Sequence, residues 1–160
     1  MSIQAGNKMP DGVFKTMTAE GPKEVTTDSL FKGKKVLLFS VPGAFTPTCS
    51  GKHLPGYVNN AASLKAKGID TIACMAVNDV FVMNAWGQSA NVGDKVLMLS
   101  DGNGDYVKLL GLELDARAHG MGSRGQRFSL IVDNGVVTQL NVEPPGKFDV
   151  SSAECALGQL

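Results

Sequence analysis

Cys49 is the residue of this chain best placed for covalent chemistry. It follows the apolar, β-prone run Val36–Val41, which predicts a buried strand. A helical spacing follows it, carried by Leu54, Tyr57, Val58, Ala61 and Lys65. Cys49 is therefore expected near the first turn of a helix, where free N–H groups and the helix dipole favour a thiolate. The thiolate is the reactive form of cysteine.

The residues before Cys49 suggest what such a thiolate would meet. Pro42 fixes its φ angle and has no N–H, so it stiffens the loop and shields it from water. Pro47 biases Thr46 toward an extended backbone, from which the Thr46 hydroxyl can turn toward the sulfur and orient a small oxygen-containing substrate. Taken alone, the same spacing also fits a threonine N-cap, at Thr46 or Thr48, beside a buried cysteine.

The segment PGAFTPTCSGKHLPGY resembles the active-site signature of peroxiredoxins, specifically the type II group related to peroxiredoxin five. The family pattern P-x-x-x-T-x-x-C falls on Pro42, Thr46 and Cys49. The likeness covers most of the chain from Pro10 to Leu160. It continues in order through Cys74–Asp79, Ala85–Gly87, Leu109–Leu112, Arg127–Phe128 and Asn141–Pro144.

This resemblance implies a thiol peroxidase with an α/β thioredoxin fold, in which helices flank a central mixed β-sheet. Hydrogen peroxide or an alkyl hydroperoxide would oxidise Cys49 to a sulfenic acid, and glutathione with glutaredoxin, or thioredoxin, would reduce it again. The implied role is antioxidant defence and redox homeostasis. No metal, haem, flavin or other cofactor is implied. A homodimer packed near the active site is also implied, with Phe45, Phe81 and Trp86 as candidate interface residues.

A cysteine that attacks peroxide needs a cationic partner for its thiolate. The candidates are Arg117, Arg124 and Arg127. The resemblance selects Arg127, which matches the family arginine before Phe128, with Arg124 as a lesser contributor. It implies that Arg127 stabilises the thiolate and the developing negative charge. Thr46 and the loop N–H groups would hold the peroxide oxygens, and Pro42 would screen the site.

Composition is consistent with this interpretation. The 160 residues fit a single domain, 1–160, and 15 basic against 15 acidic residues give no support for a nucleic-acid or membrane partner. Three cysteines are too few for a secreted disulfide framework, and their odd number suits a reducing compartment. No signal peptide, transit peptide or membrane-spanning run is visible, so the expected location is the cytoplasm.

Strand and helix patterns alternate along the chain, which predicts a mixed sheet covered by helices. The predicted elements are a hairpin within Asp11–Glu24, strands at Ile69–Val77 and Val96–Leu99, a helix capped by Asp79, a helix at Asp105–Leu110, a hairpin of Arg127–Val132 and Val136–Val142 around Asn134-Gly135, and a last helix capped by Ser151 or Ser152.

Three further motifs are better explained without a ligand. Gly120–Gly125 spells G-x-G-x-x-G but precedes a strand instead of following one, so a flexible loop is the better interpretation. Asp101–Asp105 begins like a calcium loop, yet Leu112 stands where the bidentate Glu belongs. Cys49 and His53 are spaced for a hydrolase dyad or half a zinc site, but no further ligands follow, and we interpret His53 as a packing and hydrogen-bonding residue.

The other two cysteines bear on recycling. Cys74 lies in the apolar run Ile72–Val77 and is interpreted as an inert core thiol, whereas Cys155 falls opposite the apolar stripe of the last helix, beside Ser151, and is expected to be exposed. Which of them, if either, resolves the sulfenic acid stays open, and a one-cysteine mechanism is preferred. Two other classes remain, a disulfide reductase, although no C-x-x-C is present, and a non-enzymatic redox sensor.

Overall fold

The computed structural model describes residues 2–160, and a seven-stranded mixed sheet lies at its centre. Its strands are β1 Val13–Thr18, β2 Gly21–Thr26, β3 Lys35–Ser40, β4 Thr71–Ala76, β5 Leu97–Ser100, β8 Phe128–Asp133 and β9 Val136–Val142. Strands β3, β4 and β5 run parallel to one another, while β1, β8 and β9 pair antiparallel with their neighbours. Across the sheet the strands follow the order β2-β1-β5-β4-β3-β8-β9.

Helices cover both faces of this sheet. They are α1 Thr27–Phe31, α2 Leu54–Ala66, α3 Val80–Ser89, α4 Asp105–Leu110 and α5 Ala153–Gly158. Because side chains alternate along a strand, Leu37 and Phe39 of β3 pack under α2, α3 and α5, while Val36 and Leu38 pack under α1 and α4. The predicted α/β class, a mixed sheet flanked by helices, is confirmed. None of the helices within residues 2–160 combines the length and apolar character needed to cross a bilayer.

Local chemistry explains several of the element ends. Asp79 Oδ1 accepts the Val82 N–H at 2.8 Å and caps α3, as predicted. Ser152 caps α5 by accepting the Cys155 N–H at 3.1 Å, so of the two candidate serines it is Ser152 that caps the helix. Asn134 and Gly135 adopt φ angles of 48° and 83°, which is the left-handed pair that the predicted Asn-Gly hairpin requires.

The segment around the G-x-G-x-x-G motif differs from the predicted flexible loop. Glu113–Asp115 forms β6 and Ser123–Gly125 forms β7, and the two pair antiparallel as a separate two-stranded sheet. A 3-10 turn at Arg117–His119 joins them. Strands of three residues are too short to show a period in the sequence, so the pattern gave no signal for them. Helix α1, five residues long, was missed for the same reason.

Candidate active site

The backbone becomes helical at Pro47, and Cys49 lies in this first turn. The N–H of Ser50 donates to the carbonyl of Thr46 at 2.9 Å, which starts the helical hydrogen-bond ladder. Residues Cys49–His53 then form a π-helical segment, in which the Leu54 N–H bonds back to the Cys49 carbonyl. The position of Cys49 agrees with the sequence prediction. The π segment was not predicted, because widening one turn of a helix leaves no clear signature in the residues.

The side chain of Cys49 is 0% exposed, and Arg127 Nη2 donates to its Sγ at 3.0 Å. Arg127 directly precedes β8, and Phe128 of β8 pairs with Ser40 at the end of β3. The antiparallel register therefore places Arg127 beside the C-terminal end of β3, close to the start of the Cys49 helix. Among residues 2–160, Arg127 is the side chain that hydrogen-bonds to this sulfur.

The other two candidate arginines have different partners. Arg124 donates from Nε to the Met121 carbonyl at 2.8 Å and from Nη1 to the Pro42 carbonyl at 3.4 Å. It therefore braces the loop before Cys49 and makes no hydrogen bond to the sulfur. Arg117 is exposed and pairs with Asp115 at 2.8 Å.

Thr46 and Pro42 both lie in the loop between β3 and the Cys49 helix, and both are half-buried. The Thr46 hydroxyl donates to the Gly43 carbonyl at 2.7 Å. Its proton is thus already used, and the hydroxyl can only accept a hydrogen bond from a bound molecule. The structure brings Thr46 into the same loop as Pro42, but its hydroxyl points to Gly43 and not to the sulfur.

His53 is fully buried one helical turn after Cys49. Its Nε2 lies 3.0 Å from the Ser151 carbonyl, and its Nδ1 lies 2.8 Å from Arg127 Nη1. Burial first, and then the positive charge of Arg127, lower the pKa of His53 to about 3. The imidazole is therefore neutral around pH 7. Sequence analysis placed His53 near the site as a hydrogen-bonding residue but did not pair it with Arg127.

Contacts from α3 and from the loop before it also hold the Cys49 loop, and no pattern in the sequence indicated them. Asn78 Oδ1 accepts the Ala44 N–H at 2.9 Å, and Trp86 Nε1 donates to Ser50 Oγ at 2.9 Å. Phe45, between these anchors, has a φ angle of 65°, which is unusual for a bulky residue and costs about 1–2 kcal/mol.

The three aromatic residues proposed for a dimer interface differ in exposure. Phe45 is 54% and Phe81 64% exposed. Trp86 is only 1% exposed, so the prediction that it lies at a dimer interface is wrong. Its ring packs inside the core below Phe45, with 6.5 Å between the ring centroids.

All three cysteines are free thiols. Cys74 is buried within β4 as predicted, and burial raises the pKa of its thiol well above the usual range. Cys155 was expected to be exposed, but it is half-buried. Ser151, predicted on the same exposed side, is fully buried, and its N–H and hydroxyl both donate to Glu143 Oε2.

A cavity of about 140 Å³ adjoins the site. Pro42 and Thr48 line it on one side and the Pro144–Lys147 turn on the other, with Arg127 and Glu143 also in its wall. A larger cavity of about 780 Å³ lies elsewhere, near the C-terminal end of α3, and none of the predicted site residues lines it. No group of three or more His, Cys, Asp or Glu side chains within residues 2–160 is arranged to hold a metal ion.

These contacts define what the site can do chemically. A sulfur in the first turn of a helix faces a guanidinium cation in a region closed to bulk water. Such an arrangement stabilises an anion at the sulfur and any negative charge that develops on an atom bound to it. A hydroxyl that accepts hydrogen bonds lies in the neighbouring loop. The geometry suits attack by sulfur on a small, polar, oxygen-containing molecule.

A family model described as Redoxin matches residues 4–157. The curated protein peroxiredoxin-2E, chloroplastic, of Arabidopsis thaliana is 50% identical over 163 residues, covering 99% of this chain and 70% of its own length. The hybrid peroxiredoxin hyPrx5 of Haemophilus influenzae is 42% identical, with 100% and 67% covered. The crystal structure of reduced Prx3 in complex with H2O2 from Vibrio vulnificus matches with a TM-score of 0.95 and 52% identity, covering 98% of each chain.

Proposed function

The chain belongs to the redoxin family as a type II peroxiredoxin of the peroxiredoxin-five-like group, and on this premise we propose that Cys49 is the residue that attacks the peroxide. The protein is a thiol peroxidase of antioxidant defence with a thioredoxin fold, and it uses a peroxide and a thiol reductant. The observation that carries the proposal for Cys49 is the 3.0 Å contact from Arg127 Nη2 to its Sγ at the start of a helix.

In the proposed reaction, the Cys49 thiolate attacks one peroxide oxygen. An S–O bond forms as the O–O bond breaks, and the departing oxygen takes a proton to leave as water or an alcohol. Cys49 is oxidised to a sulfenic acid, and the peroxide is reduced by the same two electrons. One thiol then condenses with the sulfenic acid to give a disulfide and water, and a second thiol releases Cys49 by exchange.

Each neighbouring residue has a proposed part in this step. Arg127 stabilises the thiolate and the charge that develops as the O–O bond breaks, because its guanidinium is a fixed cation at hydrogen-bond distance. Thr46 accepts a hydrogen bond from the peroxide O–H, since its own proton is held by Gly43. Pro42 limits the entry of water from its side of the cavity.

The size of the adjoining cavity supports small substrates. At about 140 Å³ it is much smaller than the cavity of about 780 Å³ near α3, and Arg127 lies in its wall. We propose hydrogen peroxide and small alkyl hydroperoxides as the substrates that enter this space.

We propose an external thiol as reductant, glutathione with glutaredoxin or thioredoxin, and a one-cysteine cycle. Cys74 is a poor candidate for resolving the sulfenic acid, since its thiol is buried and its pKa is raised by that burial. Cys155 is half-buried on α5. The sulfur of Cys49 is itself closed to solvent, so the residues that cover it must move before a reductant thiol can reach it.

A homodimer in the cytoplasm is proposed on separate grounds. Phe45 and Phe81 are large exposed apolar side chains on two segments that the Ala44–Asn78 hydrogen bond joins, which favours an interface there. Three free cysteines suit a reducing compartment. We also retain residues 1–160 as a single domain, since one central sheet gathers most of the strands.

The test is a peroxide-consumption assay with glutathione and glutaredoxin in one arm and thioredoxin in the other. Cys49→Ser should abolish turnover in both arms while circular dichroism shows an unchanged fold, because a serine hydroxyl is scarcely ionised at neutral pH and forms no sulfenic acid. Retained turnover in that variant would remove Cys49 from the mechanism. Oxidation of Cys49 without repeated turnover in either arm would instead indicate a redox sensor.

A further inference from the structure

We propose that His53 is a positioning residue, which holds the Arg127 guanidinium at the place and angle from which it reaches Cys49. This inference rests on the proposed role of Cys49 as the peroxide-attacking residue. It begins from one geometric fact, that Arg127 makes two hydrogen bonds through two different nitrogens, Nη1 to His53 Nδ1 at 2.8 Å and Nη2 to Cys49 Sγ at 3.0 Å. A planar guanidinium fixed at both terminal nitrogens cannot rotate away from the sulfur.

The two partners of the imidazole require the same protonation state. Arginine can only donate, so Nδ1 must carry a lone pair, and the Ser151 carbonyl can only accept, so Nε2 must carry the proton. His53 is therefore the neutral tautomer with hydrogen on Nε2. Its pKa of about 3 agrees with this assignment, because burial and the Arg127 charge both disfavour the imidazolium.

The imidazole is itself held in place from several sides. Rings of Phe39, Phe148 and Tyr57 surround it, with centroid distances of 4.8, 5.0 and 5.6 Å. The Ser151 carbonyl that it bonds is fixed as well, because the N–H and hydroxyl of Ser151 donate to Glu143 Oε2 at 2.8 and 2.7 Å. The buried network thus runs from Glu143 through Ser151, His53 and Arg127 to the sulfur.

A neutral histidine as the partner of Arg127 leaves the guanidinium charge uncompensated, which a carboxylate partner would not. The two ion pairs found within residues 2–160 join Lys23 to Glu20 and Arg117 to Asp115, so neither involves Arg127. The carboxylate of Glu143 is turned to Ser151 and Asp149, and its Oε1 has no hydrogen-bond partner among the described residues 2–160. Because His53 carries no charge, it orients Arg127 without cancelling the positive charge that acts on Cys49.

The experiment compares His53→Leu, which removes both hydrogen bonds, with His53→Asn, which keeps an acceptor near the position of Nδ1. Tyr57→Phe is the matched control, because Tyr57 donates to the same Ser151 carbonyl at 2.7 Å but makes no bond to Arg127. The measurement is the second-order rate of Cys49 oxidation by hydrogen peroxide in a single turnover, with thermal unfolding and circular dichroism to verify folding.

We expect His53→Leu to react about tenfold more slowly or worse, as loss of one charge-assisted hydrogen bond predicts. His53→Asn should recover to within about threefold of wild type and Tyr57→Phe should stay near it, since both leave Arg127 an acceptor. A wild-type rate in His53→Leu, or equal losses in all three variants, would overturn the inference, the latter because it indicates a purely structural role.

Two results separate this inference from the proposed function. If Cys49→Ser is inactive while the His53 variants react like wild type, the peroxidase mechanism stands and the positioning role fails. If the wild-type protein consumes no peroxide, the proposed function itself fails. Should His53→Leu not fold, nitrogen NMR of the wild-type imidazole at pH 7 decides: hydrogen on Nε2 with a hydrogen-bonded Nδ1 is expected, and the other tautomer or an imidazolium refutes the inference.

Discussion

Acidification should destabilise this protein well above the pH at which its carboxylates titrate, because His53 is buried in its neutral form. The ordinary pKa of histidine, 6.5, applies to the unfolded chain, and the folded value is about 3. Between these values the unfolded chain binds more protons than the folded one, so stability is complete above about pH 6.5 and falls as the pH decreases toward 3.

The size of the effect follows from the same two values. A difference of one pKa unit corresponds to about 1.4 kcal/mol, so the difference between these two values corresponds to a loss of about 5 kcal/mol, which is complete only below pH 3. Most of that range is hard to measure, but the loss between pH 7 and pH 5 is already about 2 kcal/mol. That is a large part of the stability of a typical domain.

Urea unfolding at pH 7, 6 and 5 measures this loss, with His53→Asn as control because asparagine does not titrate. Between pH 7 and pH 5 the free energy of unfolding of the wild type should fall by about 2 kcal/mol, and that of the variant should lack this decrease. Burial alone would raise the pKa of Glu143, but its hydrogen bonds lower that pKa overall. Its contribution to the stability of the fold is therefore lost only as the pH falls below the ordinary value of 4.5. Burial raises the pKa of Asp101, but both proteins share that contribution. Parallel curves for the two proteins would refute the reasoning.

Substitutions at four other positions also test the site. Arg127→Ala should slow Cys49 oxidation by roughly 10- to 100-fold, because the charged hydrogen bond to the sulfur is lost. Arg124 does not bond the sulfur, so Arg124→Ala should have a smaller effect. A larger effect of Arg124→Ala would show that Arg124 is the cationic partner. Thr46→Val should be slower than Thr46→Ser by about fivefold, since only serine keeps a hydroxyl to accept from peroxide, and equal rates would make Thr46 structural. Cys155→Ser should leave turnover with glutathione and glutaredoxin within about twofold of wild type; a Cys49–Cys155 disulfide as the main product, found by non-reducing mass spectrometry, would contradict the one-cysteine cycle.

The sequence predicted those parts of the fold whose cause is local. The Asp79 cap, the Asn134-Gly135 hairpin and helix α4 depend on a few neighbouring residues, and each lies where the pattern indicated. The class of sheet followed from the alternation of strands and helices. Elements of three to five residues, such as β6, β7 and α1, were missed because so few positions show no period.

The site was predictable in composition but not in its contacts. The spacing of Pro42, Thr46 and Cys49 pointed to one reactive loop, and the family resemblance was needed to single out Arg127. The bonds of His53 to Arg127 and Ser151 join residues 74 and 98 positions apart. Only the tertiary fold brings such residues together, so the periodicity of a single chain cannot report them.

Cys49 and Cys74 show why burial alone does not decide the reactivity of a thiol. Both side chains are 0% exposed and belong to the same apolar cluster. Cys74 lies in the middle of β4, paired with Phe39 and Met98, and burial there raises the pKa of its thiol well above the usual range. Cys49 lies instead in the first turn of a helix with Arg127 at 3.0 Å. Exclusion of water penalises an anion at either sulfur, but it also strengthens the attraction of any cation that remains in contact. Of these two sulfurs, Arg127 hydrogen-bonds only that of Cys49, so the dry environment that isolates Cys74 leaves Cys49 in contact with a cation.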